Sequence, residues 1–312
     1  MLFPLGLLGQ PRGGAAANFF YVAGGEISGT SLTTVDKLNM TAETSAVLGT
    51  GLSTARTGTS GASNGSVAGY VLGGNTTTYP SPSNSIGKCA FPTDSMSNLG
   101  ATLSSSRVKQ GGFSNVGTAG YVGGGLESPG YGAVATVNKL TFSGETVSTL
   151  GSGLSSTRYG VTGFANKDVA GYSAGGNAVT TVDKFAFPGD GRSTLGTGLS
   201  SNRQESAAIA NPAVAGYHLG GYDAGNIATV DKFAFPGDSR STLGTGLPAA
   251  RAYHTAGSNN GTNAVLAGGQ DNVGFPTSYV KLLFSSDVFS TLGATLSAGR
   301  RFVIGFSTGT GA

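Results

Sequence analysis

An all-β, six-bladed propeller is the fold that this 312-residue sequence predicts. Three observations predict it: a sixfold internal repeat, fixed spacings inside each copy, and short Val-, Phe-, Tyr- and Thr-rich runs separated by glycine-rich turns. Glycine doublets recur at Gly24-Gly25, Gly73-Gly74, Gly124-Gly125, Gly175-Gly176, Gly220-Gly221 and Gly268-Gly269. A lysine follows each doublet (Lys37, Lys88, Lys139, Lys184, Lys232, Lys281), and an arginine follows each lysine (Arg56, Arg107, Arg158, Arg203, Arg251, Arg300). Lysine to arginine is 19 residues in all six copies, and arginine to the next doublet is 17 in all five measurable cases. Doublet to lysine varies from 9 to 15, so the period of 45 to 51 residues changes length in one segment only.

Each period reads as four short strands. The first follows the arginine, as in Gln204 to Ala210, and the second runs into the doublet, as in Ala215 to Leu219. The third carries Val-Asp-Lys-Phe-Ala-Phe, at Val182 to Phe187 and again at Val230 to Phe235. The fourth is Ser-Thr-Leu-Gly, as at Ser193 to Gly196. Apolar residues do not alternate strictly along these runs, as expected of sheets stacked face to face and buried on both sides. Four-stranded repeats of this length point to propellers.

The ends predict how the ring closes. Arg12 precedes the first doublet by 12 residues rather than 17, which leaves the first copy one strand short. After Arg300 the chain continues Arg301-Phe302-Val303-Ile304-Gly305-Phe306-Ser307, a strand with no blade of its own. Pairing this strand into the first blade closes the circle. Residues 1–18 then form an apolar N-terminal arm, and residues 19–312 the propeller.

An aromatic second strand that ends in a glycine doublet, with an arginine downstream, resembles the kelch repeat. Tyr21, Tyr70, Tyr121, Tyr172 and Tyr217 hold the aromatic position, and Val265 departs from it. The kelch repeat also carries a tryptophan in its fourth strand; this chain has no tryptophan, and Ser or Thr stands there. The resemblance covers residues 19 to 306 and implies a fold rather than an activity.

Composition narrows the function classes. Charged residues make up 11% of the chain, against roughly 25% in ordinary soluble domains. Ser, Thr, Asn and Gly therefore cover the surface, as suits a protein that packs against copies of itself or faces variable solvent. The net charge is +3 with dispersed lysines and arginines and no basic-aromatic patch, which argues against nucleic acid. No apolar run is long enough to span a membrane, and the N-terminus MLFPLGLLGQPR does not read as a signal peptide. The single cysteine, Cys89, excludes an internal disulfide framework and reads as a buried small hydrophobe.

The search for chemistry predicts no enzyme and no cofactor. His218 and His254, the only histidines, read as structural, and with one cysteine they assemble no metal-ligand set. A galactose-oxidase-like copper enzyme also uses kelch propellers, but its Tyr/Cys/His constellation has no place here. Asp36, Asp183 and Asp231, with Asn138 in the third copy, precede their lysines as a repeat feature rather than an acid–base pair. The six arginines carry two readings. Each guanidinium ties neighbouring blades by bonding backbone carbonyls, or Arg56, Arg107, Arg158, Arg203, Arg251 and Arg300 form an anion ring at the channel mouth. The segment of variable length is the other candidate, since loops on a rigid scaffold carry recognition. It presents Tyr79 with Pro80, Pro129 with Tyr131, Tyr222 with Asp223, and Asp271 with Phe275, side chains suited to stacking on sugars and bonding their hydroxyls.

Glycine- and serine-rich arrays with Gly-Tyr-x-x-Gly-Gly strands and Val-Asp-Lys third strands resemble virion proteins of tailed bacteriophages of aquatic bacteria. The Gly6-Leu7-Leu8-Gly9 segment ahead of the array adds to this. The resemblance implies a tail-fibre, tail-tip or capsid-decorating subunit of the virion, made in the host cytoplasm. Leu2, Phe3, Leu5, Leu7 and Leu8 of the arm would anchor it to other virion subunits, and the loops would touch a host glycan. A secreted lectin-like propeller is the alternative.

Overall fold

The computed structural model describes residues 18–76, 81–91, 93–177, 179–259 and 261–309. Six antiparallel four-stranded units stand in a ring, each ordered from the axis outwards as first, second, third and outer strand. In the fourth blade these are Thr162–Asn166, Ala170–Ala174, Val182–Ala186 and Gly191–Thr194, and in the fifth Ala207–Asn211, Ala215–Tyr222, Asn226–Ala234 and Ser239–Thr242. Blade one takes its innermost strand from the C-terminus. Ile304–Ser307 pairs antiparallel with Phe19–Ala23, and Tyr21 faces Phe306 in register. The ring closes as the two ends of the sequence predict. Among the described residues no helix is long and apolar enough to cross a membrane.

Several strand boundaries differ from the sequence reading: the second strand of the fifth blade runs on to Tyr222, the third strands are Val182–Ala186 and Asn226–Ala234, and the closing strand begins at Ile304. Two further differences have a local cause. The first strand of the fifth blade begins at Ala207 rather than Gln204, because Glu205 takes a left-handed backbone (φ 54°) that interrupts the extended run before it. The outer strand of the fourth blade is Gly191–Thr194, not Ser193 to Gly196. Its start follows the left-handed Asp190 (φ 56°), which sets the hairpin register.

Sheets stack through complementary sizes. A side chain on Gly171 would overlap the ring of Phe113, one on Gly216 the ring of Phe164, and one on Gly69 the ring of Phe306. At these three interfaces the glycine of the Gly-Tyr dipeptide is a socket for an aromatic ring on the innermost strand of the preceding blade; at Gly120 the partner is the smaller Ala62. At the closing interface the sizes exchange places: Phe20 is the large partner, and Gly257, on the sixth blade, the small one. Six apolar clusters result, one between each pair of neighbouring blades.

The structure shows a second bond at each interface that the sequence reading does not anticipate. An acid in the hairpin between third and outer strands reaches back to the preceding blade, and the repeated lysine meets it there. The pairs are Lys37–Asp94 (2.8 Å), Lys88–Glu145 (2.6 Å), Lys139–Asp190 (2.6 Å), Lys184–Asp238 (2.6 Å), Lys232–Asp287 (2.6 Å) and Lys281–Glu43 (2.5 Å). Five of these carboxylates also accept a tyrosine hydroxyl, from Tyr21, Tyr70, Tyr121, Tyr172 and Tyr217. Burial first, then the facing carboxylate, pushes these hydroxyls up, so they stay protonated donors. Where Val265 replaces the tyrosine, Tyr279 from the third strand lies 3.2 Å from Ser45 of the next blade instead. The chain does carry a signal for this bond: each acid follows its own copy's lysine by six residues, although it binds the lysine of the copy before.

Candidate functional site at the axial mouth

The repeated arginines lie inside the protein, 0–4% exposed. All six bind the doublet of their own copy, and four of them, Arg56, Arg107, Arg158 and Arg300, also bind the next. Each backbone carbonyl accepts the N–H of the second glycine of its own copy, as from Gly25 to Arg56 (2.8 Å) and from Gly176 to Arg203 (2.9 Å). Each guanidinium reaches into the next blade. Arg56 donates to the Gly73 carbonyl (2.9 Å), Arg158 to that of Gly175 (2.9 Å), and Arg300 to that of Gly24 (2.8 Å), which carries the link across the ring closure. The constant 17-residue interval is the length of this arginine-to-glycine bond.

The buried aspartates complete the link. Asp183 accepts from Arg158, Asp231 from Arg203 and Asp36 from Arg300, while Asn138 serves Arg107. Where the aspartate is replaced by Gly87 or Val280, a serine two residues earlier substitutes: Ser85 bonds Arg56 (2.5 Å) and Ser278 bonds Arg251 (3.1 Å). Most of these donors are directed at the chain's own carbonyls, hydroxyls and carboxylates, while Arg251 Nη1 and the Nε of Arg107, Arg158 and Arg203 have no partner among the described residues.

Two residues beyond each arginine, the chain forms a closed ring around the axis. Gly58, Lys109, Gly160, Glu205, Tyr253 and Phe302 all adopt left-handed backbone, with φ between 53° and 65°. Each donates its N–H to the carbonyl of the equivalent residue one blade back. The bonds run Lys109 to Gly58 (2.8 Å), Gly160 to Lys109 (2.7 Å), Glu205 to Gly160 (2.8 Å), Tyr253 to Glu205 (2.7 Å), Phe302 to Tyr253 (2.9 Å) and Gly58 to Phe302 (3.4 Å). Under the ring lies a cavity of about 130 Å³, bordered by all six innermost strands. Ligand pockets for drug-sized molecules are on the order of 300–1,000 Å³, so the cavity takes water rather than a substrate. Gly61, Gly112, Gly163, Ala208, Ala256 and Gly305, five residues beyond each arginine, keep the strands close to one another there.

The ring is uniform in backbone and uneven in side chains. Glycine flanks Lys109 on both sides, which leaves its ammonium free to reach Glu205 (3.3 Å) across Gly160, with the Phe302 ring centre at 5.3 Å and that of Tyr159 at 5.8 Å. Burial raises the Glu205 carboxyl above its ordinary range, against the opposing pull of Lys109. Burial draws Lys109 down, but the Glu205 charge outweighs it and the net shift is upward. Tyr253 lies 4.5 Å from Phe302 and 6.3 Å from Tyr222, and the Arg301 guanidinium stands 5.3 to 5.9 Å from Phe302, Phe275 and Tyr253. Arg301 is itself held by Glu26 (2.9 Å) and Gln270 (2.8 Å).

The variable segments lie at this same end of the blades, since they pair with the links into the innermost strands: Tyr222 with Gln204, Gln270 with Ala252, and Glu26 with Arg301. Of the loop residues singled out from sequence, the structure brings Tyr222 and Phe275 into the mouth cluster. Asp223 is exposed on its loop. The Asp271 carboxylate accepts the N–H groups of Val273 and Gly274 (both 2.8 Å), which commits it to its own turn. Tyr131 is half-buried, and its N–H donates to the Glu127 carbonyl (2.7 Å). Tyr79, Pro80 and the arm residues Leu2, Phe3, Leu5, Leu7 and Leu8 lie outside the described residues. Sequence reasoning misses Lys109, Glu205, Tyr253 and Phe302, though a constant offset of two from each arginine marks them.

The remaining reactive groups are internal. Burial, then Asp94, pushes the Cys89 thiol up to about 12, so it stays protonated. Burial and Arg203 hold His218 well below its usual value, and burial and Arg251 bring His254 down to about 3. His254 is among the groups that depress His218. Both are neutral when folded. Their contribution to stability is complete above the unfolded value near 6.5 and is lost as pH falls from there towards the folded values, at roughly 1.4 kcal/mol per pH unit per histidine. Glu205 opposes this: its protonation favours the folded state as pH falls from its raised folded value to the ordinary carboxylate range, one group set against two histidines. The melting temperature is therefore expected to drop between pH 7 and pH 5. A His218→Gln/His254→Gln variant should show a flatter profile; equal slopes in the two proteins would contradict this. No family model matches the chain, and no curated protein matches it.

Proposed function

We propose that the chain is a non-catalytic binding and assembly module, a rigid disc that presents the axial mouth and its surrounding loops to a ligand. One observation carries this reading. The repeated arginines and lysines and the aspartates beside them are bonded within the frame, whereas the side chains that differ from blade to blade, Lys109, Glu205, Tyr253 and Phe302 at the mouth and Tyr222 and Asp223 in a variable segment, are half-buried or exposed. A frame that spends its arginines, aspartates and lysines on holding itself together supplies geometry to a binding surface rather than groups to a reaction.

The resemblance of the repeats to kelch-like arrays of phage virions gives this module a setting. As a tail-fibre, tail-tip or decoration subunit, it would be held by the apolar arm and would turn the mouth outwards to a host-surface glycan. A secreted lectin-like propeller would use the same mouth, which the partly exposed aromatic rings favour equally. Removing residues 1–17 separates the two readings. The shortened chain is expected to melt as the full chain does but to stop co-sedimenting with virion particles, measured by centrifugation and immunoblotting. A full chain that never sediments with particles leaves the free lectin-like reading.

A further inference from the structure

Resting on the reading of the disc as a binding module, we infer that the axial mouth is a site for the end of a neutral saccharide, with Tyr253 and Phe302 as its stacking platform. The argument starts from backbone strain. Six equivalent positions require left-handed φ, glycine satisfies that requirement at Gly58 and Gly160, and yet a tyrosine and a phenylalanine stand at φ 59° and 53°. Bulky residues rarely adopt this region, because Cβ crowds the following carbonyl. The ring bonds are backbone-to-backbone whatever the side chain, so the hydrogen-bonded ring does not require these aromatics; they pack on one another and on Arg301 at its half-buried rim. Strain retained where a strain-free residue serves in neighbouring copies points to a use for the side chain itself.

The chemistry of the mouth selects the ligand class. Aromatic faces at Tyr253, Phe302 and Tyr222 suit the C–H faces of a pyranose. The charges are paired, Lys109 with Glu205 and Arg301 with Glu26, so the site offers ammonium and guanidinium donors beside carboxylate acceptors with no net charge. That is complementary to hydroxyl groups, and a phosphate or sulfate would have to break an existing pair. Beneath the rings, the lining of the cavity includes Thr59, Gln110 and Ser206 beside the glycines of the innermost strands. A cavity of about 130 Å³ is large enough for a few waters below a ligand at the mouth. An extended peptide fits less well, because the N–H and C=O groups of the ring are already paired with one another and leave no backbone edge to extend.

The test uses the full chain on an array of neutral oligosaccharides ending in glucose, galactose or N-acetylglucosamine, with sulfated glycans and a peptide library as comparison probes. The wild-type chain is expected to bind a neutral member, with little loss on adding salt. Tyr253→Gly/Phe302→Gly should weaken that binding about tenfold or more, while its melting temperature stays equal or rises, because glycine relieves the left-handed strain. Unchanged binding in the double variant overturns the assignment to the mouth and leaves the binding-module reading standing. A lowered melting temperature assigns the two rings to the frame and overturns it as well. Binding only to sulfated glycans, only to peptides, or to no probe overturns the saccharide class.

Discussion

Truncation after Arg300 is expected to yield an open, aggregating chain, seen as loss of the monomer peak in size-exclusion chromatography and of a cooperative melting transition. Removal of Ile304–Ser307 leaves Phe19–Ala23 as the axial edge of the first blade. It also takes away Phe306, which stacks on Tyr21 at 5.3 Å and fills the socket at Gly69 in the second blade. The magnitudes favour closure. Bringing the ends of a chain this long together costs about 5 kcal/mol by the logarithmic law. Burial of Val303, Ile304 and Phe306 returns roughly 1.5–3 kcal/mol for each, as an upper estimate. Phe302, which sequence alone would add to that sum, is only half-buried at the mouth and contributes less. The hydrogen bonds of the ring and of Arg300 to blade one come in addition. A soluble monomer with unchanged melting would show that the strand is dispensable and that closure lies elsewhere.

Arg203→Ala is expected to destabilise the fold by about 3–5 kcal/mol, the usual cost of leaving a buried charge without its partner. Arg203 and Asp231 are both fully buried. Without the guanidinium, Asp231 keeps Ser200 (2.8 and 3.0 Å) and Thr242 (2.8 Å) as donors, and the nearest cation is Arg240 at 3.6 Å. The Thr229 carbonyl loses its donor as well. Arg203→Lys should recover little of this, since an ammonium cannot serve carbonyl and carboxylate together in a fixed fork. Arg251→Ala makes the comparison. Its partner is the neutral Ser278, so no carboxylate is stranded and the loss should be clearly smaller. Thermal and denaturant unfolding of the three variants measures the order. Equal losses for Arg203→Ala and Arg251→Ala would mean that the buried aspartate contributes nothing to the link.

Much of the frame is legible in the amino-acid sequence, and the reason lies in repetition. Doublet, lysine and arginine recur because each blade meets its neighbours in the same way, so a contact required once is required six times and leaves a fixed interval in the chain. The 17-residue interval reflects one such contact, the arginine fork on the next doublet, made by four of the six arginines. The interval of six between each lysine and the following acid is as regular. Its meaning stays hidden in the sequence because the acid bonds the lysine of another blade, a relation that a linear spacing does not express.

Sequence alone thus determined the number of blades, the four-strand unit and the C-terminal strand as the closing element, since these follow from local periodicity and from one strand missing at one end and spare at the other. Only the tertiary structure decided which side chains converge. Lys109, Glu205, Tyr253 and Phe302 are spread over nearly two-thirds of the chain, and each has a different neighbour in sequence. They meet because six left-handed residues bond one another around an axis that exists only once the ring is closed. The same closure turns the arginines inward, where the frame's own carbonyls and carboxylates receive their donors, and leaves the mouth as the place where the copies differ.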